Sequence, residues 1–169
     1  MSRAAADNPP AQPPSAMSVA AAIRLAWACW LVLLVLPFFV FLYVLWTLGN
    51  SEAPTHSPQG EYWFKAAMLY LLLVVPASFF WRGRVFKAYW SGQPVSPANY
   101  LSGMLAVWIA LALGGILSLL GCLADKHLLP SLLPALVAFM FFVTLWPSGR
   151  AMVGTVGDQH DPAVYEEPR

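Results

Sequence analysis

The chain has 169 residues, of which 59% are hydrophobic and only 10% are charged. Soluble domains carry about 25% charged residues, so this composition, with a mean hydropathy of +0.63, excludes an ordinary soluble domain. The formal net charge is +1, and such a balanced chain has no basic field that would attract nucleic acid. The sequence therefore predicts an all-α, polytopic integral membrane protein.

Both ends of the chain are expected to lie outside the membrane. Residues 1–19 are rich in proline and alanine and lack apolar periodicity. A segment of this kind cannot bury enough apolar surface to fold, so we expect a disordered cytoplasmic tail. Residues 151–169 are polar and contain two prolines, and we expect a second cytoplasmic tail there.

Residues 20–150 form the expected transmembrane domain. A helix needs roughly 20 apolar residues to cross a hydrocarbon core about 30 Å thick. Pro37, near the middle of the first apolar run, predicts a kink. Trp63 and Trp81 frame the second run, as aromatic residues do at membrane interfaces. Four transmembrane helices are predicted in total, at about residues 22–48, 63–81, 98–124 and 128–147.

The distribution of Lys and Arg predicts the orientation of these helices. Such residues concentrate in the cytoplasmic loops of membrane proteins. Seven of the nine precede the first run, lie between the second and third, or follow the fourth, whereas only Lys65 and Lys126 lie on the opposite side. This bias predicts two helical hairpins with both termini in the cytoplasm. Short loops and small size are typical of a bacterial cytoplasmic (inner) membrane protein.

The loop between the second and third runs predicts a short amphipathic helix at about residues 83–91. Its aromatic and its basic side chains fall on different helical faces, as in helices that lie in the headgroup layer. We expect five residues to anchor the chain to lipid headgroups, namely Arg82, Arg84, Lys87, Tyr89 and Trp90. A specific phosphate site in this loop is the less favoured interpretation.

The third run carries a small residue at every fourth position. In a bilayer, small side chains let helix backbones approach closely. The ladder consists of Ser102, Ala106, Ala110, Gly114, Ser118 and Cys122. It predicts close helix packing, either within the chain or at a subunit interface, and both alternatives remain open.

The loop that follows the second run resembles the one that follows the fourth. Three residues recur at an offset of 66, since Gly83, Arg84 and Gln93 return as Gly149, Arg150 and Gln159. A duplicated helical hairpin would produce this pattern. Coincidence in glycine-rich juxtamembrane loops would produce it as well, so duplication is left open.

No metal or cofactor site is expected. Cys29 and Cys122 lie at opposite predicted depths, too far apart for a disulfide. The acidic and imidazole side chains of the outer loops lack the spacing of metal ligands; they are Glu52, His56, Glu61, Asp125 and His127.

The cores of the apolar runs contain no Asp, Glu, Lys, Arg or His. Each such residue costs about 2.5–3.5 kcal/mol at a helix centre and marks proton relays, ion coupling or catalysis. Their absence favours a non-catalytic accessory or scaffolding subunit of a larger membrane complex. The expected partners are membrane lipids and other membrane subunits or a second copy of the chain, and no nucleic acid.

Two further functions remain as alternatives. The first is a small homo-oligomeric transporter or channel lined by Ser102, Ser118 and Thr144. The second is a lipid-modifying membrane enzyme that holds a headgroup with its basic loop, although the sequence shows no evident acid, base or nucleophile for this reaction.

Overall fold

The computed structural model describes residues 17–50 and 58–153. Within these ranges 84% of the residues are helical and none lies in a strand, which confirms the predicted all-α class. The two expected tails lie almost entirely outside the described residues. The helices are α1 (Val19–Gly49), α2 (Pro58–Val85), α3 (Lys87–Trp90), α4 (Pro97–Asp125), α5 (Leu132–Thr144) and α6 (Arg150–Val153).

Among the described residues, three helices, α1, α2 and α4, are long and apolar enough to cross a membrane. They contain 31, 28 and 29 residues. At about 1.5 Å per residue each is roughly 42–46 Å long, which exceeds a hydrocarbon core of about 30 Å. The chain is therefore a membrane protein by the length and composition of its helices, as predicted for these three runs.

The fourth predicted span differs from the observed helix. α5 has 13 residues, or about 20 Å, and is shorter than the predicted range 128–147. Prolines limit it at both ends, because the residue before a proline is biased away from helical geometry. Pro130 lies just before α5 and Pro147 just after it. On its own α5 is too short to cross a hydrocarbon core of about 30 Å.

α4 is the central helix of the structure. In the most apolar stretch of α4, 61% of the residues are buried, compared with 6% in the corresponding stretch of α1 and 6% in that of α2. α1, α2 and α5 each pack against α4, whereas α1 and α2 have few contacts with each other. The first expected hairpin is therefore not a packed pair in this structure, because both of its helices take α4 as their main neighbour.

α2 and α4 run antiparallel and approach each other closely at both ends. Near the start of α2, a Cβ atom on Gly60 would overlap the Asp125 carboxylate at the end of α4. Near the start of α4, a Cβ atom on Gly103 would lie 2.6 Å from Cε2 of Phe86. Only glycine leaves room for these neighbours, so the two positions set the separation of the helices.

The predicted helix at residues 83–91 is not a separate element. Its first residues continue α2 to Val85, and only the four residues of α3 follow. The aromatic residues of its expected apolar face also differ in environment, since Phe86 is 5% exposed and Trp90 is 78% exposed. Phe86 is buried because Gly103 has no side chain and so leaves room for the Phe86 ring inside the bundle.

Candidate functional site

A polar pocket of about 510 Å³ lies where α2 ends, α4 begins and the α5–α6 connection passes. We call it the polar pocket. It combines basic, hydroxyl and aromatic side chains from parts of the chain that are far apart in sequence. The lining residues that matter most here are Arg82, Trp90, Tyr100, Thr144, Trp146 and Arg150.

The α5–α6 connection is fixed to α4 at Gly149. This residue has a φ of 69°, a left-handed conformation that glycine adopts without strain. Its backbone N–H donates a hydrogen bond of 3.2 Å to the hydroxyl of Tyr100. The next residue is Arg150, so this hydrogen bond brings a cation to the rim of the polar pocket.

Two further hydrogen bonds hold the same connection. The indole N–H of Trp108 donates to the backbone carbonyl of Leu145 at 2.9 Å, which satisfies a carbonyl at the end of α5. The backbone N–H of Val95 donates to the carbonyl of Ala151 at 2.9 Å. The polar pocket is therefore built mainly on helices, and only Phe86, Leu145, Trp146 and Ser148 of its lining lie between them.

The two cations of the polar pocket differ in exposure. Arg82 is half-buried, and its Cζ atom lies over the Phe86 ring, 5.2 Å from the centroid. A cation in this position is attracted by the ring quadrupole. Arg150 is exposed. In the described part of the chain, no carboxylate lines the pocket beside them.

The predicted headgroup residues divide into two groups. Arg82, Tyr89 and Trp90 line the polar pocket, whereas Arg84 and Lys87 are exposed and do not line it. Tyr100 and Arg150 were missing from that prediction. The recurrence of Gly-Arg after the fourth run was the sequence signal that could have indicated Arg150.

The two Gly-Arg pairs have different local structures. Gly83 lies in α2 with no heavy atom near the position of a Cβ, whereas Gly149 has a positive φ and packs against Ile23. The repeated glutamine, Gln159, lies outside the described residues. The local geometry therefore gives no support to the hypothesis of a duplicated hairpin.

The small-residue ladder of α4 does not face one neighbour. Ser102 is exposed and Ala106 half-buried, whereas Ala110, Gly114, Ser118 and Cys122 are buried. A four-residue spacing advances about 40° per step around a helix, so the first and last members point about 200° apart. The buried members pack within this chain.

The buried part of the ladder contacts both α2 and the loop before α5. A Cβ atom on Gly114 would lie 2.5 Å from Cδ2 of Leu71 in α2. The hydroxyl of Ser118 donates to the backbone carbonyl of Ser131. The Sγ atom of Cys122 lies 3.5 Å from the carbonyl of Leu128. These contacts lie within one chain, and the subunit interface suggested for the ladder stays a prediction.

The hydroxyls suggested as a channel lining do not share a path. Ser118 is buried and bonded to the Ser131 carbonyl, Ser102 is exposed, and Thr144 donates to the Phe141 carbonyl at 2.9 Å. Side chains that already satisfy neighbouring backbone groups are poor ligands for a passing solute. A pore between several copies of the chain stays a prediction.

A second cavity, entirely apolar, lies between α1, α4 and α5. It has a volume of about 260 Å³. Pro37 of α1, Gly115 of α4 and Phe139 of α5 line it, and a Cβ atom on Gly115 would meet no neighbour within 4 Å. We call it the apolar groove, and none of its described lining residues has a polar side chain.

The described ionisable groups of the predicted outer loops do not form one cluster. Glu61 forms an exposed ion pair of 2.7 Å with Lys65, one helical turn away. Asp125 is buried beside Gly60, and His127 is half-buried. Glu52 and His56 lie outside the described residues. Among residues 17–50 and 58–153, no group of three His, Cys, Asp or Glu could hold a metal ion.

The chemistry of the polar pocket suits binding. Its polar groups are guanidinium, phenol and aliphatic hydroxyl, and no described carboxylate, imidazole or thiol lines it. A guanidinium remains protonated in proteins, so these groups offer no acid–base pair that works near neutral pH. No family model, curated protein or solved structure matches this chain, so its function is inferred from these residues.

Proposed function

We propose that the chain is a non-catalytic multi-pass membrane protein that serves as an accessory or scaffolding subunit of a larger membrane complex. The observation that carries this proposal is the position of α1 and α2. Each packs extensively against α4 and has few contacts with the other, so a large apolar surface of both helices is left for lipid or for another protein.

The proposed topology has four passes and cytoplasmic termini in a bacterial inner membrane. It rests on the Lys and Arg bias of the loops and on the antiparallel course of α2 and α4. α5 is short, and we propose that the apolar residues on both sides of it complete the fourth crossing. The polar pocket then lies at the cytoplasmic face.

The chemistry of the chain agrees with a role in assembly. The apolar runs lack ionisable residues at their cores, and those are the groups that transport and catalysis in a membrane require. The Ser118 and Thr144 hydroxyls already donate to backbone carbonyls, and the described lining of the polar pocket holds no acid–base pair.

Site-specific photo-crosslinking tests the proposal at native expression level. A photoreactive phenylalanine analogue would replace Val32 or Phe39 in α1 and Leu72 or Phe80 in α2, all of which are more than 60% exposed. We expect one of the two helices to form a crosslink of defined mass with a larger membrane protein. Helix faces that bury a second protein surface are expected to give such a discrete product.

The matched control replaces Phe142, which is 3% exposed and packs within the chain. It should yield no intermolecular product. If all four exposed positions crosslink to lipid alone while the chain migrates as a monomer in mild detergent, the accessory-subunit proposal is wrong.

A further inference from the structure

The polar pocket is open to a ligand of the size of a lipid headgroup. Its volume of about 510 Å³ lies in the range of roughly 300–1,000 Å³ typical of small-molecule sites. Its walls come from α2, α4 and the α5–α6 connection, which three hydrogen bonds hold in place. A site with such fixed walls binds a ligand at low ordering cost.

The charge of the pocket selects an anion. Arg82 and Arg150 both line it, and no described carboxylate does. Arg82 lies over the Phe86 ring, and a guanidinium carries five N–H donors, which suits it to bind a phosphate. Ser148 adds a hydroxyl to the same lining.

The aromatic residues of the pocket are typical of the headgroup layer of a membrane. Trp90 is 78% exposed and Trp146 is 60% exposed, and both line the pocket. Tryptophan is enriched at the membrane interface, where its ring contacts acyl chains and its N–H remains hydrated. A small soluble anion has no apolar part that could contact the two exposed indole rings, whereas a lipid has acyl chains.

We propose that the polar pocket binds the phosphate of an anionic phospholipid between Arg82 and Arg150. This inference does not depend on the accessory-subunit proposal. The lipid phosphate accepts hydrogen bonds from the two guanidinium groups, and Trp90 and Trp146 flank the first part of its acyl chains. The site joins two parts of the chain that are more than 60 residues apart.

Native mass spectrometry of the full chain in detergent micelles tests this proposal. The probes are phosphatidylglycerol, phosphatidylcholine and the soluble headgroup analogue glycerol 3-phosphate. We expect one retained phosphatidylglycerol per chain and several-fold weaker retention of phosphatidylcholine, whose headgroup carries an additional cation. Equal retention of both lipids, or binding of glycerol 3-phosphate without retention of phosphatidylglycerol, would overturn the assignment.

Charge-matched variants locate the site. Arg82→Gln combined with Arg150→Gln removes both pocket cations, and we expect phosphatidylglycerol affinity to fall about tenfold or more. Arg84→Gln combined with Lys87→Gln removes the same charge from outside the pocket, and affinity should fall less than about threefold, because only the diffuse surface attraction is lost. An equal loss in both pairs would show that binding is not localised in the pocket.

A single variant separates loss of the ligand from loss of the fold. Arg82 packs on Phe86, so its replacement alters local packing, whereas Arg150 is exposed. Arg150→Gln alone should lower phosphatidylglycerol affinity about threefold or more while the unfolding temperature in lipid-free detergent stays unchanged. Unchanged affinity in Arg150→Gln would contradict the two-arginine site.

Discussion

Trp108 links α4 to the end of α5 through one partly buried hydrogen bond. Its side chain is fully buried, and its indole N–H donates to the Leu145 carbonyl at 2.9 Å. A carbonyl at a helix end has no partner within its own helix, and without the indole this one would lose its partner. The large ring also fills the space between α4 and the α5–α6 connection.

Trp108→Phe is expected to lower the free energy of unfolding by roughly 1–3 kcal/mol, because the Leu145 carbonyl loses its donor. The loss is measured by denaturant titration in mixed micelles. Trp146→Phe is the matched control, since Trp146 is 60% exposed and its replacement should leave the midpoint unchanged. Equal midpoints for the two variants would contradict the structural role given to Trp108.

Single residues of the polar pocket show what sequence patterns can and cannot indicate. Arg82 was predicted to contact headgroups because it lies in a basic loop beside an apolar run. The same pattern also selected Arg84 and Lys87, which the pocket does not use. It missed Tyr100, since nothing in the sequence indicates that its hydroxyl accepts from the backbone of Gly149.

Neighbouring glycines on α4 have different functions in helix packing. Gly114 and Gly115 differ by about 100° around the helix axis. A Cβ atom on Gly114 would lie 2.5 Å from Cδ2 of Leu71, whereas one on Gly115 would have no neighbour within 4 Å. The face of Gly114 therefore packs against α2, and the face of Gly115 opens to the apolar groove.

A leucine at each position tests this arrangement. Gly114→Leu should lower the free energy of unfolding by roughly 1–3 kcal/mol, because overpacking forces α2 away from α4. Gly115→Leu should have little effect or stabilise the chain, because its side chain enters the apolar groove and leucine has the higher helix propensity. Both are measured by the same micelle titration, and a larger loss in Gly115→Leu would contradict the packing of α4.

The helices differ in how well their sequences predict them. α1, α2 and α4 follow from uninterrupted apolar runs, and the structure extends each of them slightly beyond the predicted limits. Hydropathy predicts the position of α5 but overestimates its length. Pro130 and Pro147 restrict the helix within an apolar stretch that continues on both sides. Apolar composition measures affinity for lipid, and it does not mark where a helix ends.

The arrangement of the bundle could not be predicted from hydropathy. α1 is at least as apolar as α4. Nevertheless, most of the apolar stretch of α4 is buried, whereas little of the apolar stretch of α1 is buried. Lipid tails are as apolar as the protein interior, so burial in a membrane protein follows packing shape. The small residues of α4 gave the only sequence signal for its central position, and Gly103, Gly114 and Gly121 are among those that face α2.

The sequence indicates only one wall of the polar pocket, because the other wall depends on tertiary contacts. Its α2–α3 wall is continuous in sequence and could be recognised as a basic aromatic loop. Its other wall depends on the α5–α6 connection, which reaches the pocket because Gly149 and Trp108 bond to distant partners. Tertiary contacts of this kind leave no periodic pattern in the sequence.

Labelling from outside intact cells tests most directly whether α4 crosses a membrane. Single cysteines would be placed at Ser91, before α4, and at Lys126, after it, in a chain whose own Cys29 and Cys122 are replaced by alanine. Both positions are exposed. With a membrane-impermeant thiol reagent, we predict that Lys126→Cys reacts in intact cells and that Ser91→Cys reacts only after the membrane is opened. Equal reaction of both positions in intact cells would contradict a transmembrane α4, and with it the account of the polar pocket as a cytoplasmic lipid site.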